Sequence, residues 1–345
     1  MASKAKIIIN AVGPYRFYGE AVVKACLARS THYIDVTGEP EFMEMIQLHY
    51  HEEALKKHVY LISACGMDSV PCDVGVIFIM KNFNGTLNSI EAYFNMIEDQ
   101  YPGPIFNYAT WESAVHSLAN YKKLTEIRSK LFANRLPLRK PKLMLRKSIF
   151  KHEPTQRWYI PFPGADRSVM LRTQRYFYEK HNQRPIQIQC YCGFEEYYNA
   201  VLAVLLGSIF RVLCKYQWTR TLLLNHPKLF SFGMFNREGP SDEKQENSIF
   251  DICIEGEGWD EKPLEPTDEF KTPPNKKISA NVGARNPAYG ATSIAVVLCA
   301  VMVLTESEKL PNGGGCYTPG VAFANTSLIA KLNKYGIKFE IRSKL

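Results

Sequence analysis

The first quarter of the chain alternates short apolar runs with longer segments of helical spacing. Apolar or β-branched runs occupy residues 7–12, 32–36 and 59–65. Between and after them, apolar residues recur at three- and four-residue intervals in residues 19–28, 39–58 and 74–80. Strand and helix in strict alternation are typical of a doubly wound parallel sheet, so we predict an α/β fold with a Rossmann-like domain over residues 1–85.

The middle of the chain has a different pattern, which predicts a second domain over residues 86–282. Strand-like alternation occurs in residues 87–98, 167–176, 186–192, 249–256 and 277–282, and residues 110–130 have helical spacing. We therefore expect an α+β domain with an antiparallel sheet and one helical layer. Residues 283–345 contain a long apolar helix over 288–304, which we expect to pack back on the first domain.

Two segments of the second domain are unusual in composition. Residues 122–151 are rich in Lys and Arg, with Leu143, Met144, Leu145, Ile149 and Phe150 interleaved. Residues 197–235 are strongly apolar and aromatic, and all their formal charges are positive. The apolar run from Ala200 is shorter than the roughly 20 residues that a membrane-crossing helix needs, which favours an element lying in a membrane surface. The alternatives are a solvated basic face for the first segment and a buried or dimer-interface helix for the second.

Composition excludes several classes of protein. The chain has 345 residues, 46% of them hydrophobic, and a net charge of +8, so it is long enough to bury a sizeable core. Its nine cysteines lack paired zinc spacing, so we predict no metal site and a reduced, cytosol-facing protein that is not secreted. No nucleic-acid-binding motif accompanies the basic residues, so nucleic acid is not an expected partner. Gly313, Gly314 and Gly315 follow a helix and a proline rather than a strand, which predicts a flexible turn.

Five segments carry a resemblance to a known family. They read NAVGPYRFYGE from Asn10, IDVTGEP from Ile34, CGMDSVPCD from Cys65, RTQRY from Arg172 and CYTPG from Cys316. In sequence and order they resemble segments of the saccharopine dehydrogenase-like oxidoreductases, and the resemblance spans nearly the whole chain. Members of that family open with a strand and a glycine-rich turn, and no such turn precedes Ile7. The expectation is a truncated Rossmann-like domain that binds NADH or NADPH weakly or not at all.

The resemblance also implies where the chemistry lies. The turns Gly13-Pro14-Tyr15 and Gly66-Met67 would edge the nicotinamide of NAD or NADP and an unknown small-molecule substrate, with Tyr15 or Asp68 handling a proton. The alternatives are that Asp68 and Ser69 only cap a helix and that Tyr15 only packs.

Two functions remain open from the sequence. One is an NAD(P)-dependent oxidoreductase associated with a cytosolic membrane face or lipid droplets, and involved in lipid metabolism. The other is a catalytically inactive protein of the same surfaces that retains the fold. In either case a membrane or lipid-droplet surface is the expected partner. A homo-oligomer is a further candidate, because the strand at residues 7–12 would expose an apolar edge.

Overall fold

The computed structural model describes residues 1–97, 103–137, 139–146, 148–262 and 265–344. Glu98 of the predicted strand and Lys147 of the basic segment lie outside these residues. The strands of the described residues are β1 (Ile7–Asn10), β2 (His32–Asp35), β3 (Tyr60–Ile62), β4 (Thr86–Ile97), β5 (Phe106–Asn107), β6 (Phe150–His152), β7 (Arg157–Pro161), β8 (Gln187–Phe194), β9 (Phe235–Asn236), β10 (Ile249–Trp259), β11 (Lys276–Arg285), β12 (Gly315–Tyr317) and β13 (Lys338–Lys344).

The helices lie between these strands and after them. They are α1 (Tyr15–Ala28), α2 (Pro40–Lys56), α3 (Val70–Asn82), α4 (Tyr108–Ala119), α5 (Tyr121–Leu131), α6 (Asp166–His181), α7 (Tyr197–Leu213), α8 (Gln217–Asn225), α9 (Pro227–Phe230), α10 (Asp242–Asn247), α11 (Thr292–Thr305), α12 (Pro319–Ala322) and α13 (Leu328–Lys334). A π-helical turn, Pro287–Ala291, leads directly into α11.

A four-stranded parallel sheet contains the first three strands, in the order β1-β2-β3-β12. The α/β prediction is therefore confirmed, with strands a few residues shorter than the apolar runs. Local pattern did not identify β12, which begins at Gly315, within the glycines predicted to form a turn. Its three residues are all buried, and it pairs with β3 from more than 250 residues away.

The second sheet has seven strands in the order β13-β11-β10-β4-β8-β7-β6. Most neighbours are antiparallel, as predicted, but β4 and β8 run parallel, so the sheet is mixed. Strand β13 comes from the C-terminal segment and pairs with β11. Residues 283–345 therefore supply one strand to each sheet, besides the helix α11 that packs on β1 and β2.

One strand prediction is wrong. Residues 167–176 alternate in hydrophobicity but lie in helix α6. The buried residues explain the error, because they recur at helical intervals and include polar side chains that a hydrophobicity pattern counts as exposed. They are Asp166, Val169, Met170, Arg172, Thr173, Gln174 and Phe177.

Helix α3 lies between the two sheets and joins their cores. It contacts β4, β10 and β11 on one side and α6 and α12 on the other. Gly75 allows this close packing, since a Cβ there would lie 2.5 Å from Cδ1 of Ile254 in β10. The core is consequently continuous from Ile34 and Ile62 of the parallel sheet to Ile252 of the mixed sheet.

A smaller cluster forms where α4, α7, α8 and α9 meet. Trp111 of α4, Cys214 and Leu223 are buried there, and the Trp111 indole donates a hydrogen bond to the Leu223 carbonyl, 2.8 Å. The predicted helix over residues 110–130 is two helices, α4 and α5, separated at Asn120.

One helical stretch, Pro287–Thr305, is long and apolar enough by composition to cross a membrane. It includes α11, whose inner face is buried against the parallel sheet and α13. Packing in the core accounts for this composition, so length and hydropathy alone are weak evidence for a membrane span.

Candidate functional site

The loops that follow β1, β2 and β3 meet at the carboxyl edge of the parallel sheet, where ligands of such sheets bind. Glu39, which is buried, joins two of them: the Tyr15 backbone NH donates to its Oε1, 2.8 Å, and the Arg16 Nε donates to its Oε2, 2.8 Å. We call this edge the strand-end site, made of residues 10–15, 35–39 and 63–69.

Asp35, the last residue of β2, ties the second loop to the third. Its Oδ1 accepts hydrogen bonds from the backbone NH groups of Thr37, 3.1 Å, and Ala64, 2.8 Å, and its Oδ2 accepts one from the Ser63 hydroxyl, 3.0 Å. Complete burial raises the pKa of this carboxyl group to about 6. Sequence reasoning did not single it out, although an acid at the end of an apolar strand, before Thr37 and Gly38, is a usable signal.

Asp68 lies in the third loop, as predicted, and faces the second. A Cβ added to Gly38 would lie 2.8 Å from its Oδ2, so a side chain at that position would displace the Asp68 carboxyl group. Asp68 is an exposed residue, yet protein surrounds its carboxyl group closely enough that desolvation raises its pKa. The residue therefore reaches solvent, while desolvation of its carboxyl group favours the protonated form more than in an ordinary aspartate.

Ser69 has the N-cap position of α3 but makes no side-chain capping bond. Its buried hydroxyl has no hydrogen-bond partner among the described residues. The capping explanation therefore does not account for the Ser69 side chain.

Behind Asp68 lies Asp166, a residue that sequence reasoning missed. It is buried at the start of α6, and neither of its carboxyl oxygens has a nitrogen or hydroxyl partner within the described part of the chain. Burial, followed by the charge of Asp68, raises its pKa well above the usual range, and the Cys72 thiol lies beside it. Burial thus favours the protonated form of Asp166, since an isolated buried carboxylate is strongly unfavourable.

Tyr15, Gly13 and Pro14 lie at the end of β1, as predicted. The Tyr15 hydroxyl donates to the Asn10 carbonyl, 2.9 Å, and its ring packs against Phe42. Burial raises the pKa of this phenol further above its ordinary value. The structure therefore gives Tyr15 a packing role, and its candidate role in proton transfer stays a prediction.

Gly66 and Met67 lie beside the second loop. A Cβ at Gly66 would lie 3.2 Å from the Cβ of Val36, and the Met67 backbone NH donates to the Thr292 hydroxyl, 3.2 Å. These two residues therefore sit at the strand ends where a nicotinamide is expected, next to the start of α11.

Helix α4 covers one end of the site through a buried ionic network. Arg16 bonds to Glu39 and also to Glu41, 3.1 Å, while its other groups donate to the His116 carbonyl and the Ser117 hydroxyl. The Ser113 hydroxyl donates to Glu39 Oε1, 3.1 Å. The network fixes α4 over the ends of β1 and β2.

Comparison with known proteins identifies the family. The chain is 38% identical over 343 residues to the human saccharopine dehydrogenase-like oxidoreductase, covering 99% of this chain and 79% of the relative. It belongs to the saccharopine dehydrogenase-like oxidoreductase family. A Caenorhabditis elegans relative named lipid droplet localized protein is 34% identical over 349 residues, covering 100% of this chain and 81% of the relative.

The name of a third relative refers to a different cellular compartment. It is a probable mitochondrial saccharopine dehydrogenase-like oxidoreductase of Arabidopsis thaliana, 33% identical over 374 residues, covering 100% of this chain and 80% of that protein. No protein-family model matches the chain.

The apolar segment of this family member forms an exposed surface. Helix α7 buries only Ala200, although it is among the most apolar helices of the described chain. We call the exposed side of α7, α8 and α9 the α7–α9 surface. Its exposed large apolar side chains are Tyr197, Tyr198, Val201, Leu202, Leu205, Ile209, Val212, Tyr216, Trp218, Leu222, Leu229, Phe232 and Met234. A contiguous apolar patch this extensive is unusual on the surface of a soluble monomeric protein.

The basic segment is different, because several of its cations are bound within the chain. Their partners are acids or backbone carbonyls that lie far away in sequence. These pairs are Lys123 with Glu41, Arg128 with Glu44, Arg139 with the Pro185 carbonyl, Lys140 with Glu269 and Arg146 with Glu91. Much of the positive charge that the sequence assigned to lipid attraction therefore stabilises the fold.

Proposed function

We propose that this protein is a nicotinamide-dependent oxidoreductase whose small-molecule substrate binds at the strand-end site. The observation that supports this most is the pair of carboxyl groups, Asp68 at the opening and protonated Asp166 behind it, beside the orphaned Ser69 hydroxyl. Unpartnered buried polar groups at the carboxyl edge of a parallel sheet suit a bound ligand better than a purely structural role.

The residues present fit part of a dinucleotide. Small residues at the loops, Gly13 and Gly66, and the N-terminus of α3 suit the nicotinamide end and the substrate, whereas no glycine-rich turn after a strand is seen among the described residues. When bound, the cofactor supplies a hydride.

The chain's own residues would supply the proton. Hydride transfer to a carbonyl or imine requires a proton at the oxygen or nitrogen, and the Asp68 carboxyl group is the accessible donor. The exposed Asp68 would be reprotonated from solvent, because loss of the Asp166 proton would leave a buried, unpaired carboxylate. Asp35 and Glu39 hold the three loops in place and take no part in the transfer.

Hydrogen exchange tests the placement of this site. With millimolar NADH or NADPH, we expect slower exchange in peptides covering residues 10–15 and 63–69. Peptides covering β6 and β7 serve as the internal control, since they lie at the far edge of the other sheet. Equal protection of both regions, or none in either, contradicts the proposal.

We further propose that the α7–α9 surface holds the protein on the cytosolic face of a membrane or on a lipid droplet. The support is an apolar surface whose only charges are positive, and a relative named for lipid droplets. Leu202→Asp with Leu205→Asp should release the protein from vesicles in flotation. Leu304→Asp, at a similarly exposed leucine of α11, is the matched control and should still float.

A second function rests on Tyr15. Because its hydroxyl is bound to the Asn10 carbonyl, one candidate proton donor is not free, which suits a protein that keeps the fold and the lipid surface without the reaction. Vesicle binding without any effect of dinucleotide on exchange would favour this alternative.

A further inference from the structure

A concave surface lies where the chain turns after α8. It is lined by the polar and basic residues Asn225, His226, Lys228, Asn236 and Arg237, with the exposed apolar side chains of Leu229 and Phe232 beside them. The concavity therefore combines hydrogen-bond donors with positive charge at the end of the α7–α9 surface.

The positive charge of this concavity is only partly offset nearby, by Glu112 and by Glu238 next to Arg237. No Asp or Glu occurs between Tyr197 and Arg237, and neither Lys228 nor Arg237 has an ion-pair partner in the portion of the chain that the structure describes. The Arg237 guanidinium lies 4.5 Å from the ring centroid of Tyr108, which holds it in position. Glu112 of α4 is the acid that interacts with it electrostatically.

The turn after α9 exposes the side chain of Phe232 in an unfavourable backbone conformation. Phe232 has a φ of +53°, in the left-handed region that bulky residues avoid, and 72% of the residue is exposed. The Gly233 NH donates to the Lys228 carbonyl, 2.8 Å, and the Phe235 NH donates to the Ser231 hydroxyl, 3.0 Å, so the turn is fixed. Intramolecular packing does not offset this strain, which is typical of a side chain that contacts a partner.

We propose that this concavity binds the phosphate of a phospholipid headgroup, with Lys228 and Arg237 as its cations and Leu229 and Phe232 entering the acyl layer. Arg and Lys are the usual phosphate ligands, and apolar side chains beside them suit a lipid rather than a free anion. The inference rests on the proposed attachment to a lipid surface and names the chemical group recognised there.

Titration with dihexanoyl phosphatidic acid, a short-chain lipid, below its micelle concentration tests the site without a membrane. Lys228→Gln with Arg237→Gln should lower its affinity by about ten-fold or more, because each variant removes a charge-assisted hydrogen bond to the phosphate. The control is Arg211→Gln with Lys215→Gln, which removes the same charge from the same surface outside the concavity and should have little effect. Equal losses in both double variants would overturn the site.

Inorganic phosphate and vesicles separate the sources of the ligand. If inorganic phosphate binds as tightly as the short-chain lipid, a free anion is the ligand and the lipid assignment is wrong. Flotation with vesicles of phosphatidylcholine, with and without phosphatidic acid, should show that the Lys228 and Arg237 double variant loses only the added affinity for the anionic vesicles.

Two further results distinguish this proposal from the attachment proposal. Binding of the short-chain lipid without flotation of the wild type would support the site and contradict attachment. Unchanged flotation of the double variant on anionic vesicles would support attachment and contradict the site.

The variant Phe232→Gly distinguishes a role of Phe232 in lipid binding from a role in stabilising the fold. Glycine relieves the left-handed backbone, so the melting temperature should rise while vesicle affinity falls. A fall in both would assign Phe232 to the fold.

Discussion

At the scale of single residues, Asp35 has the clearest structural role in the strand-end site. Asp35→Ala leaves two buried backbone NH groups and the Ser63 hydroxyl without their acceptor, so we expect a loss of about 3 kcal/mol or more in unfolding free energy. Asp35→Asn is the matched control, because its amide oxygen accepts from the same NH groups and its nitrogen donates to Ser63. Chemical denaturation followed by tryptophan fluorescence measures both, and a loss in Asp35→Ala of less than about 1 kcal/mol would show that Asp35 does not organise the loops.

Comparison of the wild type with Asp35→Asn also tests a predicted pH dependence of the unfolding free energy. The folded-state pKa of Asp35 is about 6, above the ordinary value of 3.8, so the folded state binds more protons between these values. The contribution of protonated Asp35 to the unfolding free energy is therefore fully present below about pH 4. It is lost as the pH rises through 6, by up to about 3 kcal/mol. Denaturation at several pH values should show that Asp35→Asn removes part of this decline. Parallel curves for both proteins would place the pKa of Asp35 near its ordinary value.

Hydrophobic pattern identified some site residues but not their partners. Gly13, Tyr15, Gly66 and Asp68 lie at strand ends, which the alternation of apolar runs locates. Asp166 lies more than 90 residues further along, immediately before a segment predicted as a strand, so no local signal connects it to Asp68. Burial of polar groups depends on contacts distant in sequence, which a pattern does not contain.

At the scale of elements, buried ion pairs of Arg16 join α1 to α2, and hydrogen bonds from Arg16 and Ser113 attach α4 to them. Arg16→Ala leaves Glu39 buried without its cation and releases α4, so we expect a loss of about 3 kcal/mol or more. Lys24→Ala removes a cation from the same helix, but its pair with Glu20 is exposed and screened by solvent, so its loss should change stability little. Thermal unfolding compares the two, and equal effects would indicate that the buried network adds little to stability.

A second prediction at this scale concerns the edge of the parallel sheet. Strand β1 pairs only with β2 among the described residues, and its Ile9 and the nearby Val12 are exposed. An apolar, uncharged edge favours pairing with another strand, so we expect the chain to self-associate at higher concentration. Ile9→Lys should shift it toward the monomer in sedimentation velocity, whereas Tyr335→Lys, at an exposed aromatic residue far along the chain, should not. Association unaffected by Ile9→Lys would place the interface elsewhere.

Elements in which apolar residues recur at a single clear interval were predicted well, whereas elements with mixed intervals were not. The helices α2 and α3 and the strands β4, β8 and β10 agree with their patterns to within a few residues. Helix α6 was predicted as a strand because Arg172, Thr173 and Gln174 are buried through hydrogen bonds and contacts with other elements rather than through hydrophobicity.

At the scale of the whole molecule, the C-terminal segment connects the two sheets. Strands β12 and β13 complete different sheets, and α11 covers the parallel one. Their pairing partners lie far away in sequence. The domain boundary predicted at residue 283 therefore reflects composition rather than sheet topology. The core that α3 and α11 share also explains why the most apolar helix, α11, is internal while α7 is exposed.

This arrangement predicts which tryptophan reports on a membrane. Trp218 of α8 is 68% exposed on the α7–α9 surface, whereas Trp111 and Trp259 are buried. Binding to vesicles should therefore shift tryptophan emission to shorter wavelength, and lipids brominated on the acyl chain should quench it.

The control variants assign that signal to one side of the molecule. Trp218→Phe should remove most of the shift and the quenching, while Trp259→Phe, at a buried tryptophan on β10, should retain both. If α11 crossed the membrane instead, the protein would have to open its core, and emission from buried Trp259 would move toward longer wavelength. Quenching that persists in Trp218→Phe would show that another face of the protein meets the lipid, and the α7–α9 surface would then be an interface for protein.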